Sequence, residues 1–193
     1  MTRIGLGVYP DVDEHHTPPS VVAQNPGVIL CTVTTQRNAH FVAQMVKAVL
    51  PDANRVLRVI PEWAAPDDNL QYDESETAVK VAQRWEYAIL WEWGRYPDLY
   101  HGVVGINERF PGGGDSDRRG RMVSRAAIET ELADRFAKRN IPYLFGSFNA
   151  GGLEAADVDL FADLFANFPV NYHAYLPPDK TSINSEDGFY VLR

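Results

Sequence analysis

The chain is poor in cysteine, in positive charge and in long apolar runs, and each deficit excludes a class of protein. Cys31 is its single cysteine, so no disulfide can form within the chain. No stretch reaches the roughly 18 consecutive apolar residues of a membrane-spanning helix. Lysine and arginine number 18 against 26 acidic residues, a net charge of −8, and they form no basic block for nucleic acid or an anionic membrane.

The N-terminus also lacks the pattern of a secretory signal peptide. Its apolar run is short and is followed by several acidic residues. Together with the lone cysteine, this predicts a cytoplasmic protein by default. The length of 193 residues is that of one domain, so residues 1–193 are interpreted as a single unit that takes a neutral ligand or a protein partner.

Strand-like and helix-like segments alternate along this domain. Short apolar, β-compatible runs predict six strands, at 3–9, 28–33, 55–62, 102–106, 142–147 and 170–175. Apolar residues at helical spacing predict helices at 42–49, 73–93, 122–139 and 155–168. Asp73 and Glu76 have the spacing of a capping box at the start of the second helix. Trp85, Trp91 and Trp93 of that helix are predicted to pack in the core, because aromatic residues at helical spacing usually do.

The alternation predicts an α/β fold with a parallel sheet. No G-x-G-x-x-G motif follows the first strand, and polar residues come at the ends of several strands, which favours a parallel (β/α) TIM-type barrel over a doubly wound sheet. A complete barrel needs about 250 residues, so we expect an incomplete barrel of about six βα units. Unclosed edges would favour self-association or indicate a truncated chain.

The fourth predicted strand leads to the strongest candidate for chemistry. Its small and β-branched residues are followed directly by Asn107 and Glu108. The ends of parallel strands are where catalytic groups collect, because the loops vary while the strands hold them in place. Glu108 is therefore predicted to lie at the mouth of the fold.

Arg58 and Trp63 are further candidates, each with two interpretations. Arg58 lies between apolar residues of the third strand, where it either pairs inside the barrel or holds a catalytic carboxylate. Trp63 follows that strand and either forms a ligand platform or closes the loop. Asp13, His15 and His16 could suggest a metal site, but adjacent histidines on an extended backbone point in opposite directions, so we predict a solvated loop and no metal or cofactor.

With Asn107-Glu108 at the fourth strand and His173-x-Tyr175 at the sixth, the sequence resembles the clan A glycoside hydrolases, retaining enzymes on a (β/α)8 barrel. The resemblance covers the first six barrel strands as a pattern. It implies that Glu108 is the general acid/base, that Asn107 binds a sugar hydroxyl, and that His173 and Tyr175 line the sugar site. From their spacing alone, His173 and Tyr175 both face the interior and could instead fill the barrel. Arg58 is similar to the clan's arginine beside the nucleophile, and the nucleophile itself is a glutamate on the seventh strand.

Three functions follow as hypotheses. The first is hydrolysis of O-glycosidic bonds by the completed barrel, of which this chain is expected to be the inactive N-terminal portion, with carbohydrate as the ligand. The second is a non-catalytic barrel module that binds carbohydrate or a protein partner through the same mouth. The third is a metal-dependent hydrolase using Asp13, His15 and His16.

Overall fold

A computed structural model describes residues 5–8, 28–34, 40–64, 75–106, 117–149 and 153–173. Its centre is a parallel sheet whose strands lie side by side in chain order. Every neighbouring pair is parallel. The strands are β1 (Gly5–Val8), β2 (Val28–Thr34), β3 (Asn54–Ile60), β4 (Gly102–Val104), β5 (Tyr143–Asn149) and β6 (Val170–His173). The predicted α/β fold with a parallel sheet is confirmed.

Helical segments connect the strands from β2 onward. The α-helices are α1 (His40–Val49), α2 (Ala78–Arg95), α3 (Arg118–Ala137) and α4 (Ala162–Asn167), with 3-10 turns at Glu62–Ala64 and Ala155–Phe161. The α2 helix begins later than predicted, because Thr77 is its N-cap and accepts a hydrogen bond from the backbone N–H of Lys80 at 3.4 Å. Among the residues described, no helix is long and apolar enough to cross a membrane.

The helices pack against one face of the sheet. Leu57 on β3, Val103 on β4 and Phe145 on β5 belong to a single core cluster, to which all four helices contribute. Side chains alternate between the two faces of a strand, so Arg58 and Val104 lie on the opposite face, and both are buried. The sheet therefore has a helix face and a second, buried face that carries charge.

Two details of the helices differ from prediction. Trp85 is fully buried as expected, but Trp91 is 63% exposed, because the buried stripe of α2 follows Val81, Trp85 and Ile89. The predicted helix at 155–168 is a 3-10 turn followed by the short α4. Its predicted apolar stripe is interrupted, since Val158 is exposed.

Gly105 provides a test of the packing beside β4. A methyl group on its Cα would collide with the hydroxyl of Tyr143 and come within 3.1 Å of the Leu132 side chain. We expect Gly105→Ala to lower the free energy of unfolding by about 1–3 kcal/mol, as overpacking does. Gly94→Ala is the matched control, because nothing lies within 4 Å of its added methyl on α2, and it should stabilise by about 0.5–1 kcal/mol. Urea unfolding measures both, and equal effects would contradict this packing.

Candidate functional site

The side chains predicted for the site are only partly within the described residues. Asn107, Glu108 and Tyr175 lie outside them, and His173 is the last residue of β6. The described surroundings of the predicted mouth are the ends of β3 to β6 and the face of the sheet opposite the helices. The predicted roles of these residues stay predictions.

Arg58 enters this opposite face. It is 1% exposed, and it is in register with Thr32 on β2 and Val104 on β4. Val104 precedes Glu108 by four residues. A guanidinium is rarely buried without a partner, and Arg58 has at least one. Both interpretations of Arg58, internal pairing and support of a catalytic carboxylate, require this burial.

A second polar group on this part of the sheet comes from β5 and β6. The Asn171 amide donates a hydrogen bond to the Ser147 hydroxyl at 2.9 Å. Ser147 is fully buried and has a φ of +44°, next to Gly146 at +101°, and the strand register shifts between Phe145 and Phe148. Left-handed backbone at a non-glycine residue is uncommon and collects at functional sites. Sequence reasoning missed this pair, although a glycine inside a strand signals such a bulge.

A buried arginine from α3 joins the exit of β4 to the bulge in β5. Nη2 of Arg125 donates to the carbonyl of Ile106 at 2.7 Å and to the carbonyl of Gly146 at 3.0 Å. Ile106 is the residue directly before Asn107. The guanidinium therefore holds the point at which the chain leaves β4 toward the predicted catalytic pair.

Glu129 and Tyr143 support that arginine. Glu129 is fully buried, and its Oε1 lies 2.8 Å from Nη2 of Arg125. The Tyr143 hydroxyl donates to the other carboxylate oxygen at 2.5 Å. Burial, followed by the negative charge of Glu129 and this hydrogen bond, raises the pKa of Tyr143 well above its ordinary value. Tyr143 therefore stays protonated and continues to donate across the ordinary pH range.

Trp63 lies in a different place from Arg58. Its ring meets Trp85 edge to face at 5.3 Å, on the helix face of the sheet, and the guanidinium of Arg84 lies 4.3 Å from its ring centroid. Trp63 is 43% exposed and borders a surface groove of about 350 Å³. Residues of α2 and the turn before it complete the groove wall: Glu76, Lys80, Gln83, Arg84 and Tyr87. Trp63 is therefore an accessible aromatic residue on the helix side, separated by β3 from the face that holds Arg58.

His40 forms another buried polar cluster. Its Nε2 lies 2.8 Å from Oε2 of Glu92, and its Nδ1 lies 2.7 Å from the Tyr100 hydroxyl. A carboxylate only accepts, so Nε2 carries the proton and Nδ1 accepts from Tyr100. Burial lowers the pKa of His40 even though Glu92 favours the charged form, and Arg95, paired with Glu92 at 3.1 Å, also disfavours it. His40 is thus neutral at physiological pH.

The metal hypothesis has no counterpart in the described part of the chain. There, no group of three or more histidine, cysteine or acidic side chains is placed to hold an ion. Asp13, His15 and His16 lie outside the described residues.

Replacing the buried arginine should be costly. Arg125→Met leaves Glu129 charged, buried and without its cation, so we expect a loss of about 3–5 kcal/mol in the free energy of unfolding. The double variant Arg125→Met/Glu129→Met should recover part of this loss, because the unpaired charge is also removed. Arg119→Met is the control on the same helix. Its pair with Asp159 at 3.0 Å is exposed to water and should contribute little, and the buried Asp157, 3.6 Å away, keeps its closer pair with Arg118 at 2.5 Å. Chemical denaturation distinguishes the outcomes, and equal losses for the two single variants would refute the buried network.

The His40 cluster predicts a pH dependence of stability. Because folding lowers the pKa of His40, the unfolded chain takes up this proton first as the pH falls below about 6.5. The free energy of unfolding should therefore decrease from pH 7 toward pH 5, and this slope should be shallower in His40→Gln. His101, whose pKa is also lowered, is present in both proteins and cancels in the difference. Parallel stability curves for parent and variant would contradict the assignment.

Comparison with known proteins identified no related family. No protein-family model matches the sequence, and no curated protein matches it significantly.

Proposed function

We propose that the chain forms six strands of a parallel (β/α) barrel whose interior face binds carbohydrate, and that Glu108 acts there as the general acid/base in hydrolysis of an O-glycosidic bond. The observation that carries the proposal is the burial of Arg58 on the face opposite the helices, in register with the strand that leads to Glu108.

The order of the strands supports the barrel. A doubly wound sheet reverses its strand order at a switch point and carries helices on both faces. In the described part of the chain, the strands run from β1 to β6 without reversal, and the four helices found there share the core on one face. A sheet of this kind curves around its other face as further strands are added, and in a closed barrel that face becomes the interior.

The polar groups of the opposite face support a site at its end. Arg58 brings a positive charge to β3, and Ser147 and Asn171 bring a hydroxyl and an amide to β5 and β6. In the proposed site, Asn107 binds a sugar hydroxyl beside Glu108. His173 and Tyr175 extend the same lining from β6, and the positive charge of Arg58 keeps a neighbouring carboxylate ionised.

The chemistry defines what Glu108 has to do. In retaining hydrolysis, one carboxyl group protonates the leaving oxygen and a second carboxylate, about 5 Å away, attacks the anomeric carbon. Glu108 takes the first role, and a raised pKa in an apolar mouth suits it. The attacking carboxylate is a second acidic group, not assigned to a residue, that Arg58 or Tyr175 would position.

A binding module without catalysis is the second candidate. Trp63 and Tyr87 expose 43% and 71% of their surface beside one groove. Aromatic residues exposed together are typical of binding surfaces, and they need no carboxylate pair. In this alternative, the chain binds carbohydrate or a protein partner and does not cleave it.

Because the attacking carboxylate is unassigned, formate is supplied in its place in the assay. Glu108→Gln then separates the two candidates on aryl glycosides with poor and good leaving groups. We expect hydrolysis of the poor leaving group to fall by about 10²–10⁴-fold, because proton donation is lost, and hydrolysis of the good leaving group to fall less. Ligand affinity measured by calorimetry should be retained. Glu131→Gln, a carboxylate of α3 paired with Arg135, is the matched control and should keep the parent activity.

Absence of hydrolysis from the parent protein even with added formate, with carbohydrate still bound, would establish the binding module instead. Full activity of Glu108→Gln on both substrates would remove Glu108 from the mechanism.

A further inference from the structure

The groove beside Trp63 has a local charge opposite to that of the chain. The protein has a net charge of −8, yet the groove contains Lys80 and Arg84 against a single carboxylate, Glu76. Arg84 is paired with Glu76 at 2.6 Å. In the part of the chain that the structure describes, no acidic side chain pairs with the Lys80 ammonium. Among the described residues that line it, the groove therefore has one positive charge in excess.

One positive group of the groove, Arg84, is held in place before any ligand arrives. The guanidinium of Arg84 lies over the Trp63 ring at 4.3 Å, and its Nη1 donates to Glu76. Lys80 lies one turn earlier on α2, about 6 Å along the helix axis. It is in the first turn of an 18-residue helix, where the helix dipole adds to the attraction of an anion.

The groove also offers an aromatic surface. Tyr87 is 71% exposed and lies three residues beyond Arg84, on the same side of α2. One face of the Trp63 ring is covered by Arg84, so Tyr87 is the ring that is open to stacking. The volume of about 350 Å³ is at the lower end for small-molecule sites, which suits one or two sugar-sized rings.

We propose that this groove binds an anionic sugar residue, with Lys80 pairing with its carboxylate and Tyr87 stacking on its ring. The excess positive charge is the reason for proposing an acidic ligand, and the exposed Tyr87 is the reason for proposing one with a ring. The choice of a sugar among ring-bearing acids rests on the proposed function. The binding itself needs no hydrolysis, because the groove lies on the helix side of β3, away from the face that holds Arg58.

Three probes separate the contributions of charge and ring: glucuronate carries both, glucose only the ring, and acetate only the charge. Each is titrated into ¹⁵N-labelled protein, and the indole N–H signal of Trp63, assigned with Trp63→Phe, reports on the groove. We expect glucuronate to shift this signal and to bind at least about fivefold more tightly than glucose or acetate, the factor that a 1 kcal/mol ion pair supplies.

Two variants assign the roles within the groove. Lys80→Gln should weaken glucuronate about fivefold and leave glucose unchanged, because only the ion pair is lost. Tyr87→Ala should weaken glucuronate and glucose alike, because the stacking surface is lost. Lys138→Gln, an exposed lysine after α3, is the control and should bind as the parent does. Circular dichroism confirms that each variant is folded.

Equal binding of glucuronate and glucose, or an unchanged Trp63 signal, would overturn the inference. If the protein binds glucuronate in this groove but hydrolyses no glycoside, the groove proposal stands and the proposed hydrolysis is wrong. If it hydrolyses a neutral glycoside but does not bind glucuronate, the proposed hydrolysis stands and the groove proposal is wrong.

Discussion

The guanidinium of Arg125 is the contact on which the site end of the sheet depends. It is buried, so its donors need acceptors inside the protein, and two of these are the carbonyls of Ile106 and Gly146. The Ile106 carbonyl lies just beyond β4, and the Gly146 carbonyl lies at the bulge of β5. Glu129 neutralises the guanidinium, and the Tyr143 hydroxyl donates to one of the two carboxylate oxygens of Glu129. One network thereby ties the exit of β4, at the residue before Asn107, to the bulge of β5.

The distribution of helices explains why the protein offers two different surfaces. With the four described helices on one side of the sheet, the apolar residues of β3, β4 and β5 are divided between a helix core and an opposite face. The opposite face is buried yet contains Arg58, and the Ser147–Asn171 pair adds polar groups at β5 and β6. The outer side of α2 carries an aromatic groove with a positive excess. We propose the first surface for chemistry on a bound sugar and the second for recognition of an anionic group.

The sequence predicted the strands, the helices and their alternation, because burial imposes a period of two or of about 3.6 residues. It did not predict which residues of α2 are buried, because this helix carries large aromatic residues on both its core side and its solvent side, and Trp91 is exposed. Arg125 and Glu129 were missed for a related reason: charged residues four apart on a helix are usually solvated, and only the neighbouring strand ends bury them. The strained Ser147 depends on a bulge that one glycine only suggests.

The most direct test of the central claim is a distance between the proposed acid and the sixth strand. In a Cys31→Ser background, nitroxide labels at positions 108 and 175 should show strong dipolar broadening in continuous-wave electron paramagnetic resonance, because both side chains are proposed to line one mouth. Labels at 108 and 87, with the second on the outer side of α2, provide the control and should show little broadening. Narrow spectra from the 108/175 pair, indistinguishable from the control, would contradict the shared site.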